Sequence, residues 1–157
     1  MKKIVSLLVI IVLLASCNEY QKALKSEDPA VKFEMAKKMY EAKKYNKAIR
    51  IFEQIASVYR GKPESENLYF MFSQSYFNTK QYYLAGYQFE SFVSSFTKSD
   101  KAQEASFLGA KSYSMLSPVY SLDQTDTTQA IEKLQTFIDT YPNSIYLAEA
   151  NVIMKNL

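Results

Sequence analysis

Residues 45–56 read YNKAIRIFEQIA, and residues 82–93 read YYLAGYQFESFV. A shift of 37 positions carries Tyr45 onto Tyr82, Ala48 onto Ala85, Phe52 onto Phe89 and Ile55 onto Phe92. In each copy a small residue is followed by large apolar residues four and seven positions on, which is one face of an α-helix. A third copy, TTQAIEKLQTFI at 127–138, sets Ala130, Leu134 and Phe137 in the same frame. Three matched copies predict a repeated helical unit rather than a bundle with accidental periodicity.

Each copy follows another periodic stretch. Met35, Ala36 and Met39 form an apolar stripe ahead of the first copy; Phe72, Ser73 and Tyr76 take those places in the second, and Leu108, Gly109 and Ser112 in the third. A small residue such as Ala36 or Gly109 lets paired helices approach, and Phe52 or Phe89 fills the space beside it. These pairs resemble tetratricopeptide (TPR) repeats, whose period is about 34. The longer spacings are loop insertions, the largest being LSPVYSLDQTD at 116–126. The predicted fold is all-α: a TPR-like helical-hairpin solenoid over residues 29–157, with three helix pairs and the first helix of a fourth.

The joints support this reading. Asp28-Pro29 is a helix start, with Asp as N-cap and Pro at the first helical position. Asp100 with Gln103, and Asp126 with Gln129, have the spacing of capping boxes. Pro142 stops a helix, and Asn143 or Ser144 can cap the next. That last helix, within IYLAEANVIMKNL at 145–157, has no second member to cover Ile145, Leu147, Ala148, Val152 and Ile153. A solenoid end needs a polar cap, so either a longer chain or a partner is expected there.

Composition removes several classes of chemistry. The 157 residues contain no histidine and one cysteine, so imidazole acid–base catalysis, an internal disulfide and a Cys/His zinc site are excluded. Three glycines leave no phosphate-cradling loop. The 19 basic side chains, two of them Lys2 and Lys3, nearly balance 16 acidic ones, so there is no electrostatic case for nucleic acid. Glu64 and Glu66 are expected on an exposed polar loop with no companion base. No enzyme, metal or dissociable cofactor is predicted.

The lone cysteine, Cys17, lies in LLASCNEY at 13–20, behind the apolar run IVSLLVIIVLL at 4–14. That run is about half the length needed to span a ~30 Å hydrocarbon core, and the order cationic, apolar, small is that of a secretory signal peptide. Residues 1–16 are therefore expected to be a signal peptide and residues 17–28 a lipidated N-terminus and tether, with 18–27 polar. Leu14-Ala15-Ser16-Cys17 resembles a bacterial lipobox. The resemblance implies diacylglycerol on the Cys17 sulfur and an N-acyl lipid on its amine after cleavage. Asn18 stands where an Asp favours inner-membrane retention in such lipoproteins, which points to the periplasmic face of the outer membrane.

Function is sought on the first helix of each pair, at positions turned away from the partner helix. Those are Phe33, Lys37 and Tyr40 in the first repeat, Phe70, Gln74 and Phe77 in the second, and Ser106, Ala110 and Tyr113 in the third. Such a set can line a groove for an extended peptide bearing aromatic side chains, or the rings can pack between repeats. The cluster Lys37, Lys38, Lys43, Lys44 and Lys47, interleaved with Glu34 and Glu41, reads as a solvated face, with anionic lipid as the functional alternative.

A lipobox followed by degenerate TPR pairs resembles the BamD/YfiO family of outer-membrane assembly lipoproteins. AIRIFEQIASVYRG after YEAKKYNK, the long insert before the third copy, and the junction YPNSIYLAEA carry the match, which covers residues 17–157. That family carries about five repeats, so this chain would represent its N-terminal part. The resemblance implies a non-catalytic scaffold that binds a BamA-like β-barrel protein through its periplasmic repeat domains, and unfolded outer-membrane proteins as clients. The competing reading is a periplasmic TPR lipoprotein that binds glycan or coordinates cell-wall enzymes. The absence of tryptophan speaks against a sugar platform.

Overall fold

A computed structural model describes residues 19–119 and 121–157. Cys17, the apolar run and Tyr120 lie outside the described residues. All regular structure among the described residues is α-helical: α1 over 19–25, α2 Pro29–Glu41, α3 Tyr45–Tyr59, α4 Ser65–Asn78, α5 Tyr82–Ser95, α6 Ala102–Ser114, α7 Thr125–Thr140 and α8 Leu147–Asn156. The chain divides into two units, Met1–Val58 and Tyr59–Leu157.

In the first unit, α2 and α3 form an antiparallel hairpin. Lys32 Nζ at the start of α2 donates to Gln54 Oε1 near the end of α3 at 2.6 Å, while Tyr40 and Tyr45 meet edge-on across the turn at 5.7 Å. Asp28 caps α2 by accepting from the Ala30 N–H at 2.8 Å, with Pro29 in the first turn. The expected polar tether takes a different form: residues 19–25 are helical and bury Tyr20 and Ala23. Tyr20 and Ala23 stand three apart and make a short apolar stripe. The Tyr20 hydroxyl donates to the Lys47 carbonyl at 3.3 Å, and Lys47 Nζ lies 4.9 Å from the Tyr20 ring centroid. Lys38, from the expected solvated cluster, pairs with Glu19 at 2.7 Å.

In the second unit successive helices pack antiparallel. Phe70 of α4 meets Phe89 and Phe92 of α5, and Phe77 meets Tyr82 at the turn. Phe107 of α6 packs on Phe137 of α7 at 5.5 Å. Leu134, Phe137 and Ala150 join Phe107 and Ala110 in one apolar cluster that seats α8.

The repeat frame is preserved in burial. Ala48, Ala85 and Ala130 are each 0% exposed, as are Phe52, Phe89 and Leu134. Burying each such phenyl or leucyl side chain contributes about 1.5–3 kcal/mol. On the first helices Ala36, Ser73 and Gly109 are buried at the equivalent place. The buried hydroxyls turn back onto their own helices: Ser73 Oγ donates to the Tyr69 carbonyl at 2.8 Å and Ser112 Oγ to the Leu108 carbonyl at 2.6 Å. A polar residue is therefore tolerated where a helix must come close.

The hairpin turns repeat as well. Lys43 and Lys80 adopt φ of 56° and 60°. The Lys44 N–H donates to the Met39 carbonyl and the Gln81 N–H to the Tyr76 carbonyl, so both helices end in the Schellman arrangement with lysine in the left-handed position.

Two capping boxes are replaced. α6 begins at Ala102, which leaves Asp100 outside the cap; Ser99 Oγ instead accepts from the Lys101 N–H at 3.0 Å. α7 begins at Thr125, so Asp126 lies inside its first turn. Asp123 does the capping, accepting from the Thr125 N–H at 2.8 Å and from its hydroxyl at 2.6 Å. Those two bonds hold its carboxyl below the usual carboxylate range. Before α8, Ser144 Oγ accepts from the Tyr146 N–H at 3.1 Å, as one of the two expected caps.

Candidate functional site

The nine candidate groove positions separate by surroundings. In the first unit Phe33 is buried, while Lys37 and Tyr40 keep part of their surface exposed. In the second unit Phe70 is 7% exposed, Tyr113 5% and Ala110 4%, whereas Gln74, Phe77 and Ser106 are half-buried. Phe70 packs between α4 and α5, and Lys101 Nζ covers it at 5.5 Å from the ring centroid. Tyr113 lies across α5 above Gly86, and its hydroxyl donates to Glu90 Oε2 at 3.1 Å. Lys133 Nζ of α7 lies 5.6 Å from the Tyr113 ring centroid and pairs with Glu90 Oε1 at 2.5 Å. Burial pushes the Tyr113 hydroxyl well above the usual phenol range, and the Glu90 charge and hydrogen bond add to it.

Ser106 and Ala110 floor a cleft of about 300 Å³ walled by α5 and α7, with Gly109 and Val93 beside them. Helices α5 and α6 come close at Gly109: a methyl group on it would stand 3.2 Å from Phe89 Cβ, a tight contact.

The first helices α4, α6 and α8 are tied together in a parallel row. Ser99 Oγ donates to Glu66 Oε1 at 2.8 Å, and Lys101 Nζ donates to Asn67 Oδ1 at 3.1 Å. Glu66 is thus on α4 and engaged, where the sequence placed it on a loop. Gln74 Nε2 donates to Glu104 Oε1 at 3.3 Å. Between α6 and α8, Lys111 pairs with Glu149 at 2.5 Å, and Phe107 stacks on Tyr146 with centroids 4.8 Å apart and planes 7° from parallel. These cross-repeat partners went unread in the sequence, although residues separated by about one repeat (Asn67 with Lys101, Lys111 with Glu149) mark them.

Among the described residues no group of three or more Cys, Asp or Glu side chains is placed to hold a metal ion, and no helix is long and apolar enough to cross a membrane. Helix pairs that recur along the chain, behind an N-terminal sequence bearing an acylation motif, define a helical-repeat lipoprotein. The model for the prokaryotic membrane lipoprotein lipid attachment site matches residues 1–18, which marks Cys17 for lipid modification. The YfiO model, described as outer membrane lipoprotein, matches residues 25–157, and the chain belongs to this YfiO (BamD) family. No curated protein matches the chain.

Proposed function

We propose that this outer membrane lipoprotein is a non-catalytic scaffold of β-barrel assembly, held at the periplasmic face by lipid on Cys17. In this reading residues 1–16 are removed, diacylglycerol sits on the Cys17 sulfur and an acyl chain on its amine, and residues from 29 onward form the binding body. Several acyl chains at about 0.8 kcal/mol per buried CH₂ make such an anchor stable. The supporting observation is the family match over 25–157 in the same chain as a lipid-attachment match over 1–18.

The scaffold would hold a BamA-like barrel protein through its periplasmic repeat domains, and would receive unfolded outer-membrane proteins as clients. Within the first unit Lys37 and Tyr40, and within the second Gln74 and Phe77, are the groove candidates with accessible surface. Phe33 would support the first pair from below, and Phe70 and Tyr113 the second.

Extraction in mild detergent followed by affinity purification of the chain tests the assignment. Recovery of a β-barrel protein bearing periplasmic repeat domains is the expected result. Recovery of cell-wall enzymes or glycan alone would overturn it.

A further inference from the structure

At the end of the second unit where α4 begins and α5 finishes, a cleft of about 470 Å³ is lined by Arg60, Gly61, Ser65, Tyr69, Ser91, Ser95 and Phe96. No carboxylate lines it. Glu66, on the adjoining turn of α4, is engaged with Ser99. Arg60 is exposed and forms no ion pair among the described residues, and the Ser91 and Ser95 hydroxyls likewise donate to no described group. Ser91 and Ser95 stand four apart on α5, one above the other along the cleft wall. Ser65 Oγ donates to the Lys62 carbonyl at 2.6 Å, which leaves its lone pairs to accept. Tyr69 and Phe96, with centroids 6.3 Å apart, supply a flat apolar wall. Gly61 has a φ of 80°, and a Cβ added to it would meet nothing within 4 Å, so the rim beside Arg60 is open.

The donor set is selective. A guanidinium offers a planar fork matched to phosphoryl oxygens. Serine hydroxyls both donate and accept, which suits a ligand carrying hydroxyl groups as well as charge. The ring wall suits the carbon backbone of such a ligand, and the volume exceeds what a bare carboxylate or phosphate fills.

We infer that this cleft binds a phosphate ester bearing a polyol, with Arg60 on the phosphoryl group and Ser91 and Ser95 on the polyol hydroxyls. The site stands independently of the assembly role. The ester can be a lipid headgroup or a soluble compound, and the test separates the two.

The full chain in neutral detergent micelles is titrated calorimetrically with sn-glycerol 3-phosphate, and in parallel with phosphatidylglycerol doped into the micelles. Saturable binding of at least one probe is expected. Hydrogen bonds to a charged group predict a loss of about tenfold or more in Arg60→Gln. The pair Ser91→Ala with Ser95→Ala should weaken binding several-fold, and Lys62→Gln should leave it unchanged. Binding of the lipid alone identifies a membrane headgroup as the source, and binding of the soluble ester identifies a free ligand; both support the site. Failure of both probes to saturate, equal losses in Arg60→Gln and Lys62→Gln, or full affinity in the double serine variant would overturn it.

Discussion

A methyl group added to Gly86, buried in α5, would come within 2.8 Å of Tyr113 Cε2 and 2.9 Å of Cζ. Carbon atoms in comfortable contact stand about 3.5–4.0 Å apart, so the ring would have to withdraw by most of that difference. It is held from two sides, by the hydroxyl bond to Glu90 at 3.1 Å and by Lys133 at 5.6 Å from the ring centroid. Alanine in place of glycine inside a helix gains about 1 kcal/mol. Forcing a carbon into a packed site costs about 1–3 kcal/mol, and disturbing a hydrogen bond to a charged group adds to that. Gly86→Ala is therefore expected to destabilise the protein by about 1–2 kcal/mol. In a Tyr113→Ala background all the ring atoms nearest that methyl are gone, and only the propensity gain of up to about 1 kcal/mol remains. The same substitution then stabilises. Urea unfolding of all four members of the cycle, followed by far-UV circular dichroism, measures this reversal as a coupling of about 2 kcal/mol. Gly86→Ala with the same sign and size in both backgrounds would refute the close-packing argument.

Four further outcomes are expected. Lys43→Gly and Lys80→Gly should each raise the urea midpoint, because relief of a left-handed lysine (about 1–2 kcal/mol) exceeds the added freedom of glycine in the unfolded chain (about 0.4–1 kcal/mol). Phe89→Ala should cost about 3–5 kcal/mol, whereas Tyr87→Ala, at a side chain 60% exposed, should stay within about 0.5 kcal/mol by the same measurement. The Tyr113 hydroxyl keeps its proton longer in the folded protein than in the unfolded chain, so its stabilisation is complete below about pH 10 and is lost as pH rises beyond it. Wild type should accordingly lose stability more steeply than Tyr113→Phe in unfolding curves collected across that alkaline range. Metabolic labelling with a fatty-acid analogue should mark the wild type and leave Cys17→Ser unmarked; persistent label would remove Cys17 as the acylation site.

The sequence disclosed the fold where burial follows a period. Ala48, Phe52 and Ile55 recur at fixed spacing because each second helix presents one face to its neighbours, and burial at the matching residues is nearly the same. The helix starts were less legible. Asp100 and Asp126 have capping-box spacing, yet nearby Ser99 and Asp123 hold the bonds, since a shift of one to three residues exchanges one short polar acceptor for another. α1 was missed because a single stripe of Tyr20 and Ala23 in seven residues gives too little periodicity to set against its polar neighbours. For the groove, position on the helix face was readable, but the depth of each ring was not. Phe70 is covered by Phe89 and Phe92 of α5 and by Lys101, all distant from it in the sequence, and nothing local to Phe70 reports it.

The row α4, α6, α8 is fastened differently on its two sides. Toward the second helices it is closed by Phe89, Phe107, Leu134 and Phe137, whose apolar burial is not weakened when charges are screened. Along the row itself much of the fastening is ionic or polar and partly exposed, as at Lys101–Glu66, Gln74–Glu104 and Lys111–Glu149. Exposed pairs of this kind contribute about 0–1 kcal/mol each and weaken as the Debye length shrinks. The second unit therefore has a hard spine and a soft inner seam. Ionic strength can slacken the seam without opening the spine, and a ligand bearing its own charges can exchange these fasteners one at a time for contacts of its own.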